Sequence, residues 1–167
     1  KVVILVLLAM GQWSIGQSHW PQFRGPGGSG TVEDADPPVH FGPASNVVWK
    51  VALPSGNSSP CVWGDRIFLT GFDKTKLEAL CLDRRSGKIL WRQPAPPEKF
   101  ESTHRLGNPA TPTPATDGER VYVYFGSFGL LAYDFAGQEL WRKPLPPPVV
   151  EFGTASSPIL AGELVIL

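Results

Sequence analysis

The chain has 167 residues, 42% hydrophobic and 18% charged, which is the make-up of a folded domain and excludes an intrinsically disordered chain. Fifteen basic residues balance fifteen acidic ones, so there is no cationic footprint for nucleic acid or for an anionic membrane surface. The 18 prolines and 18 glycines predict many turns between short strands.

Behind Lys1 runs the apolar stretch Val2 to Met10, followed by the small residues Ser14, Gly16 and Ser18. A bilayer-spanning helix needs about 20 apolar residues. The shorter run reads as the apolar region of a signal peptide over 1–18, its basic start cut off by incomplete sequence; a buried N-terminal strand is the competing reading. No Cys follows the run, which argues against a lipid anchor. Residues 19–46 read as leader and linker. Gly25-Pro-Gly-Gly-Ser-Gly30 is followed by no Lys-Ser or Lys-Thr and flanked by neither strand nor helix, so it is expected to be a flexible leader rather than a phosphate loop. Asp34 and Asp36 have the spacing of part of a calcium loop without its Gly and distal Glu, and read as solvated linker.

Val47-Val-Trp49-Lys-Val-Ala-Leu53 reads as a strand with Trp49 in the terminal position of a unit, but no earlier strands of that unit stand before it. It is expected to be the outermost strand of a unit whose other strands come from the far end of the chain, an arrangement that closes a ring and hides two open edges. Strands follow near Ser59 to Trp63, Arg66 to Phe72, Leu77 to Leu82 and Ile89 to Arg92. A second set is expected at Thr113 to Thr116, Arg120 to Gly126, Gly129 to Tyr133 and Glu139 to Arg142, and an incomplete one ends at Leu164 to Leu167.

The two sets share a grammar. Asp83, Gly87 and Trp91 of the first return as Asp134, Gly137 and Trp141 of the second, each Trp followed by Arg. Ser58-Ser59-Pro60, Thr111-Pro112-Thr113-Pro114 and Ser156-Ser157-Pro158 open successive units. Trp49, Trp91 and Trp141 close them at intervals of about 40 to 50 residues, which with four short strands per unit is the signature of a β-propeller blade. The expected architecture is an all-β, quinoprotein-like propeller. A ring-closing strand occupies 47–53, blade 1 occupies 58–93, blade 2 occupies 111–143 and the start of blade 3 occupies 156–167. Since propellers close with about 4 to 8 blades, this predicts an N-terminal fragment of two to three blades.

At Asp83, Gly87, Lys88 and Trp91 the sequence resembles the tryptophan-docking repeat of propellers related to quinoprotein alcohol dehydrogenases, the PQQ-like repeats. Trp20-Pro-Gln-Phe-Arg-Gly-Pro26 is similar to the opening of a secreted bacterial branch of that family, which also includes the outer-membrane assembly propeller. The resemblance implies seven or eight blades, by the usual count for such rings, and export to the periplasm or outside a bacterial cell. It implies that each recurring Trp docks one blade on the next. The family holds both cofactor-using dehydrogenases and non-enzymatic scaffolds.

The recurring residues are explained by packing: a large aromatic per blade to wedge against its neighbour, a Gly where the turn needs positive φ, an Asp bonded within the turn. Cys61 and Cys81 fall on the first and third strands of one blade, roughly 10 Å apart at a strand spacing of about 4.8 Å, and are expected to be two buried thiols rather than a disulfide. No zinc-ligand spacing is present. The connection from Gln93 to Ala110 is longer than a turn requires and carries Glu98, Glu101, His104, Arg105 and Asn108; its counterpart from Lys143 to Ala155 carries Glu151 and Thr154. His104, Arg105 and Asn108 are the loop-face candidates for a cofactor site, although a solvated or bracing role suits His104 better because no partner acid or nucleophile can be assigned to it. No catalytic residue is assigned. The reading is an exported scaffold or binding module, its loop face taking another protein or an extracellular polymer, with no cofactor. The alternative is a periplasmic dehydrogenase using pyrroloquinoline quinone and calcium to oxidise an alcohol or sugar. The adjacent cysteine pair of the family's alcohol dehydrogenases is missing.

Overall fold

The structure is a computed structural model that describes residues 19–32 and 35–167. The expected signal peptide at 1–18 and Asp34 of the acidic pair lie outside the described residues. Strands β1 (Cys61–Trp63), β2 (Arg66–Phe72), β3 (Leu77–Asp83) and β4 (Ile89–Ala95) form one antiparallel sheet in sequential order. Strands β5 (Ala115–Thr116), β6 (Arg120–Phe125), β7 (Gly129–Asp134) and β8 (Glu139–Pro144) form a second of the same order, and β9 (Ile159–Ala161) pairs with β10 (Leu164–Ile166) as a hairpin. These are two complete blades and the inner hairpin of a third. Among the described residues the one helical element is a 3-10 turn at Pro26–Gly28.

Sequential four-stranded sheets need only local turns, and the sequence supplies a Gly at positive φ for several of them, Gly64, Gly118 and Gly162 among them. Every residue of β3 from Leu77 to Leu82 is buried, so this strand is covered on both faces. The core runs from one sheet into the next: Phe68, Leu77, Ala79 and Cys81 pack with Val121, Val123, Phe125 and Tyr133. Phe68 meets Phe135 edge-on at 5.0 Å. Burying each large apolar side chain contributes about 1.5–3 kcal/mol, and the shared core makes each sheet lean on its neighbour, as repeat units do.

Each blade carries an irregularity at the same place. Cys81 pairs with Trp91 but Leu82 with Ile89, and Ala132 pairs with Trp141 but Tyr133 with Glu139, so one residue bulges just before each Trp. The bulged residues, Leu90 and Leu140, are exposed. A bulge shifts the in-out alternation by one residue, and here it gives the following Trp its aim.

Trp91 is aimed at the turn of the next blade. Its indole N–H donates to the Phe135 carbonyl at 3.1 Å, and a Cβ on Gly137 would fall 2.6 Å from its ring. Trp49 does the same one blade earlier, donating to the Arg84 carbonyl at 2.8 Å and lying where a Cβ on Gly87 would be 2.5 Å away. The turns beneath are held by the recurring Asp and Gly residues. Asp83 accepts from the Ser86 N–H at 2.8 Å and hydroxyl at 2.6 Å, Asp134 accepts from the Gln138 N–H at 2.8 Å, and Gly87 and Gly137 have φ of 71° and 89°. The Ser86 hydroxyl is the main reason that the Asp83 carboxyl is held below the usual carboxylate range.

Residues 47–53 pair with no strand among the described residues; the expected partner strands would come from the far end of a closed ring, and isolated bridges flank the segment, Gly42 to Ser45 before it and Ser55 to Phe72 after it. Trp49 nevertheless holds the docking position of a fourth-strand Trp. One expectation needs correction: Gly25–Gly30 is folded rather than flexible. Gly25 has φ 69° under the Trp20 ring, its N–H donating to the Gln22 carbonyl at 2.9 Å, and Gly30 closes on Arg24 at 2.8 Å. Glycine at positive φ, which suggested freedom in the sequence, is here the device that brings the chain back beneath an indole.

The cysteines stand as expected. Cys61 and Cys81 both pair with Phe68, one from each side, and both are free and buried. Burial pushes both thiols up, Cys81 to about 12.

Candidate functional site

The blade-to-blade connections emerge on one face with the turns between second and third strands. The 93–110 connection is fixed there by its own polar groups. Glu101 donates its N–H to the Ser127 hydroxyl at 2.9 Å, and its carboxylate Oε2 accepts from the Thr154 N–H at 2.8 Å and hydroxyl at 2.6 Å. Glu101 therefore ties the connection entering blade 2 to the one entering blade 3. The other oxygen, Oε1, is buried without a hydrogen-bond partner among the described residues. Gly126 makes the close approach possible, since a Cβ there would clash with Thr154 Oγ1 and fall 2.7 Å from Glu101 Oε1. Burial raises the Tyr124 phenol's pKa, and the neighbouring Glu101 carboxylate raises it further.

His104 and Asn108 act as braces. The His104 N–H donates to the Phe152 carbonyl at 3.3 Å, its ring meets the Phe152 ring edge-on at 6.0 Å, and Nδ1 accepts from the Leu106 N–H at 3.3 Å. Asn108 donates to the Ser55 hydroxyl at 3.0 Å and accepts from the Ala110 N–H at 2.8 Å. Arg105 is exposed on the turn between them. His104 faces blade 3 and Asn108 faces the segment ahead of blade 1, so the three candidates share no common partner. A cleft of about 440 Å³ opens nearby between Pro96, Glu98 and Lys99 on one side and Phe128 and Pro144–Pro147 on the other. Val149 and Phe152, further along the same connection, are exposed.

On the channel side, the hydroxyls that opened each repeat form a ladder. The Ser59 N–H donates to Thr113 Oγ1 at 3.0 Å, and the Thr113 N–H donates to Ser157 Oγ at 2.9 Å. Each blade's N–H is thus satisfied by the equivalent hydroxyl of the blade that follows. Sequence reading marked these residues as landmarks without their role; recurrence of a small hydroxyl residue two places before each inner strand was the available signal. It also missed the Glu101–Thr154 clamp, although both residues stood out as polar members of their loops.

Quinone binding would need cationic groups for the cofactor's carboxylates and a metal held by converging oxygens. Glu101 is committed to Thr154, and no three His, Cys, Asp or Glu side chains converge among the described residues. The described residues do not by themselves fit that group.

Blades of four sequential strands, docked by one Trp each and tied by recurring hydroxyls, define a repeat protein of the β-propeller type. The family described as outer membrane protein assembly factor BamB matches residues 30–167, and the chain belongs to this family of PQQ-like repeat propellers. It is also similar to a 1-butanol dehydrogenase (quinone) of Thauera butanivorans, 28% identical over 102 residues, which is 53% of this chain and 15% of the relative. The chain thus spans a small part of that relative's length. Among the described residues no helix is long and apolar enough to cross a membrane.

Proposed function

We propose that the protein is an exported, non-catalytic binding and scaffold module whose connection-bearing face takes another protein or an extracellular polymer. The observation that carries this reading is how the recurring chemistry-bearing residues are used. Trp49 and Trp91 are spent on docking, Asp83 and Asp134 on turns, Ser59, Thr113 and Ser157 on the ladder, and Glu101 on a clamp. The apolar run at Val2 to Met10 supports export. The division into a leader, a closing segment carrying Trp49 and successive blades belongs to the same reading.

The second reading, a quinone-dependent alcohol or sugar dehydrogenase, is favoured by the likeness to the butanol-oxidising relative. A titration of the full-length protein with pyrroloquinoline quinone and calcium separates the two, followed by absorption and by dye reduction with alcohols and sugars. The scaffold reading expects neither stoichiometric binding at micromolar cofactor nor turnover. Binding with turnover overturns it.

A further inference from the structure

The inner strand of a propeller blade has one edge hydrogen-bonded to its own sheet and the other facing the channel. In this chain that second edge is occupied. Val62, Thr116 and Leu160 are the second residues of β1, β5 and β9 and stand at the same register, paired with Ile67, Val121 and Val165 respectively. Their N–H groups all point away from their sheets, and each meets one residue of a single tripeptide. The Val62 N–H donates to the Trp20 carbonyl at 2.8 Å, with the Trp20 N–H returned to the Val62 carbonyl at 2.8 Å. The Thr116 N–H donates to the Pro21 carbonyl at 2.8 Å. The Leu160 N–H donates to the Gln22 side-chain Oε1 at 3.4 Å.

The residue types suit this task. Proline has no N–H to leave unpaired, so Pro21 brings an acceptor alone. Gln22 extends the reach to the third blade with its side chain. On one flank the His19 ring stacks on Trp63 at 3.9 Å and 15°, and its Nδ1 accepts from the Gly64 N–H at 3.4 Å. On the other the Trp20 indole folds over Gly25, where a Cβ would be 2.6 Å away.

We propose that the channel-facing edges of β1, β5 and β9 form a peptide-binding site with one N–H donor per blade, for which Trp20-Pro21-Gln22 is the ligand in cis. The ligand class is an extended polypeptide that presents one acceptor to each successive blade and carries an aromatic anchor. Filled by its own leader, the site closes this part of the channel wall and ties the first three blades together independently of the Trp docking. This inference does not rest on the function of the connection-bearing face.

The test uses the full chain and a triple variant, His19→Gly, Trp20→Gly and Gln22→Gly, with amide hydrogen exchange read residue by residue. In the variant, exchange at Val62 and Thr116 is expected to accelerate about tenfold, the equivalent of one net hydrogen bond, while Leu80 and Val123 in the central strands stay unchanged. Adding the synthetic peptide His-Trp-Pro-Gln-Phe-Arg at millimolar concentration, the effective concentration of a short tether, is expected to restore slow exchange in the variant and leave the native chain unaffected. If the triple variant loses its sheet signal, Gln22→Ala is read at Leu160, where exchange alone should rise. Unchanged exchange at Val62 and Thr116, failure of the peptide to slow it, or an unchanged Leu160 in the single variant overturns the proposal.

Discussion

The indole of Trp91 lies across Gly137 in the next blade, held there by its hydrogen bond to the Phe135 carbonyl 44 residues on, so closely that a Cβ on the glycine would be 2.6 Å from Cγ. Gly137→Ala must therefore move the indole and also hold alanine at φ 89°. We expect a loss of about 2–4 kcal/mol from overpacking and positive-φ strain together, measured by urea unfolding followed through tryptophan fluorescence. Gly27→Ala is the control: φ is 60° and the space is open, so it should cost only about 1 kcal/mol. Equal losses would remove the docking contact from the account.

Thr113→Val keeps shape and deletes the ladder's middle acceptor. The Ser59 N–H then lacks its 3.0 Å partner, at a cost of about 1–3 kcal/mol. Thr113→Ser should recover most of it. A valine variant as stable as the parent in urea titration would show that the ladder contributes nothing.

Much of the architecture was legible in the sequence because its signals are local. Alternation at Val121, Val123 and Phe125, the Asp-to-Gly turns and the spaced Trp residues each act within one hairpin, and repetition did the rest. The interactions that organise the two faces act over long separations. Glu101 and Thr154 are 53 residues apart, and Gln22 reaches Leu160 across 138. Nothing in the neighbourhood of either residue announces its partner. Residues 47–53 show the limit of a local reading: the place of Trp49 in the repeat suggests a strand, but a strand needs a neighbour, and none of the described residues pairs with them. His104, Arg105 and Asn108 were drawn together by proximity in one loop, while their hydrogen bonds lead to different neighbours.

Glu101→Gln should loosen the two connections. An amide oxygen accepts more weakly than a carboxylate, and losing the charge assistance on the Thr154 N–H and hydroxyl is worth about 1–2 kcal/mol. The expected readout is faster amide exchange at Thr154 with little change at Leu80. Gly126→Ala should do more, since its methyl group enters the space of the clamp itself. If Thr154 exchange is unaltered in both variants, Glu101 does not hold the connections together.

The buried thiols make stability fall on the alkaline side. Their folded pKa values are raised, Cys81 to about 12, above the unfolded value of about 8.5. The folded state therefore keeps protons that the unfolded state loses. Their stabilising effect is complete below about pH 8.5 and declines by up to about 1.4 kcal/mol per pH unit per thiol as pH rises towards the folded values. Urea midpoints at pH 8 and pH 10 should show the decline, and Cys81→Ala should reduce its slope. In the native state neither thiol should react with a soluble disulfide reagent at pH 8. Rapid reaction without unfolding would show that the burial is wrong.

The Ser59–Thr113–Ser157 ladder has a polarity. Each rung is given by a backbone N–H and received by the hydroxyl of the blade that comes later in the chain, so a blade's inner polar group is satisfied only from downstream. During synthesis with the N-terminus leading, the first and second blades each wait with one unmet donor until the next blade arrives. Assembly is driven forward one unit at a time, and an interruption anywhere leaves a specific polar vacancy rather than a merely shorter sheet.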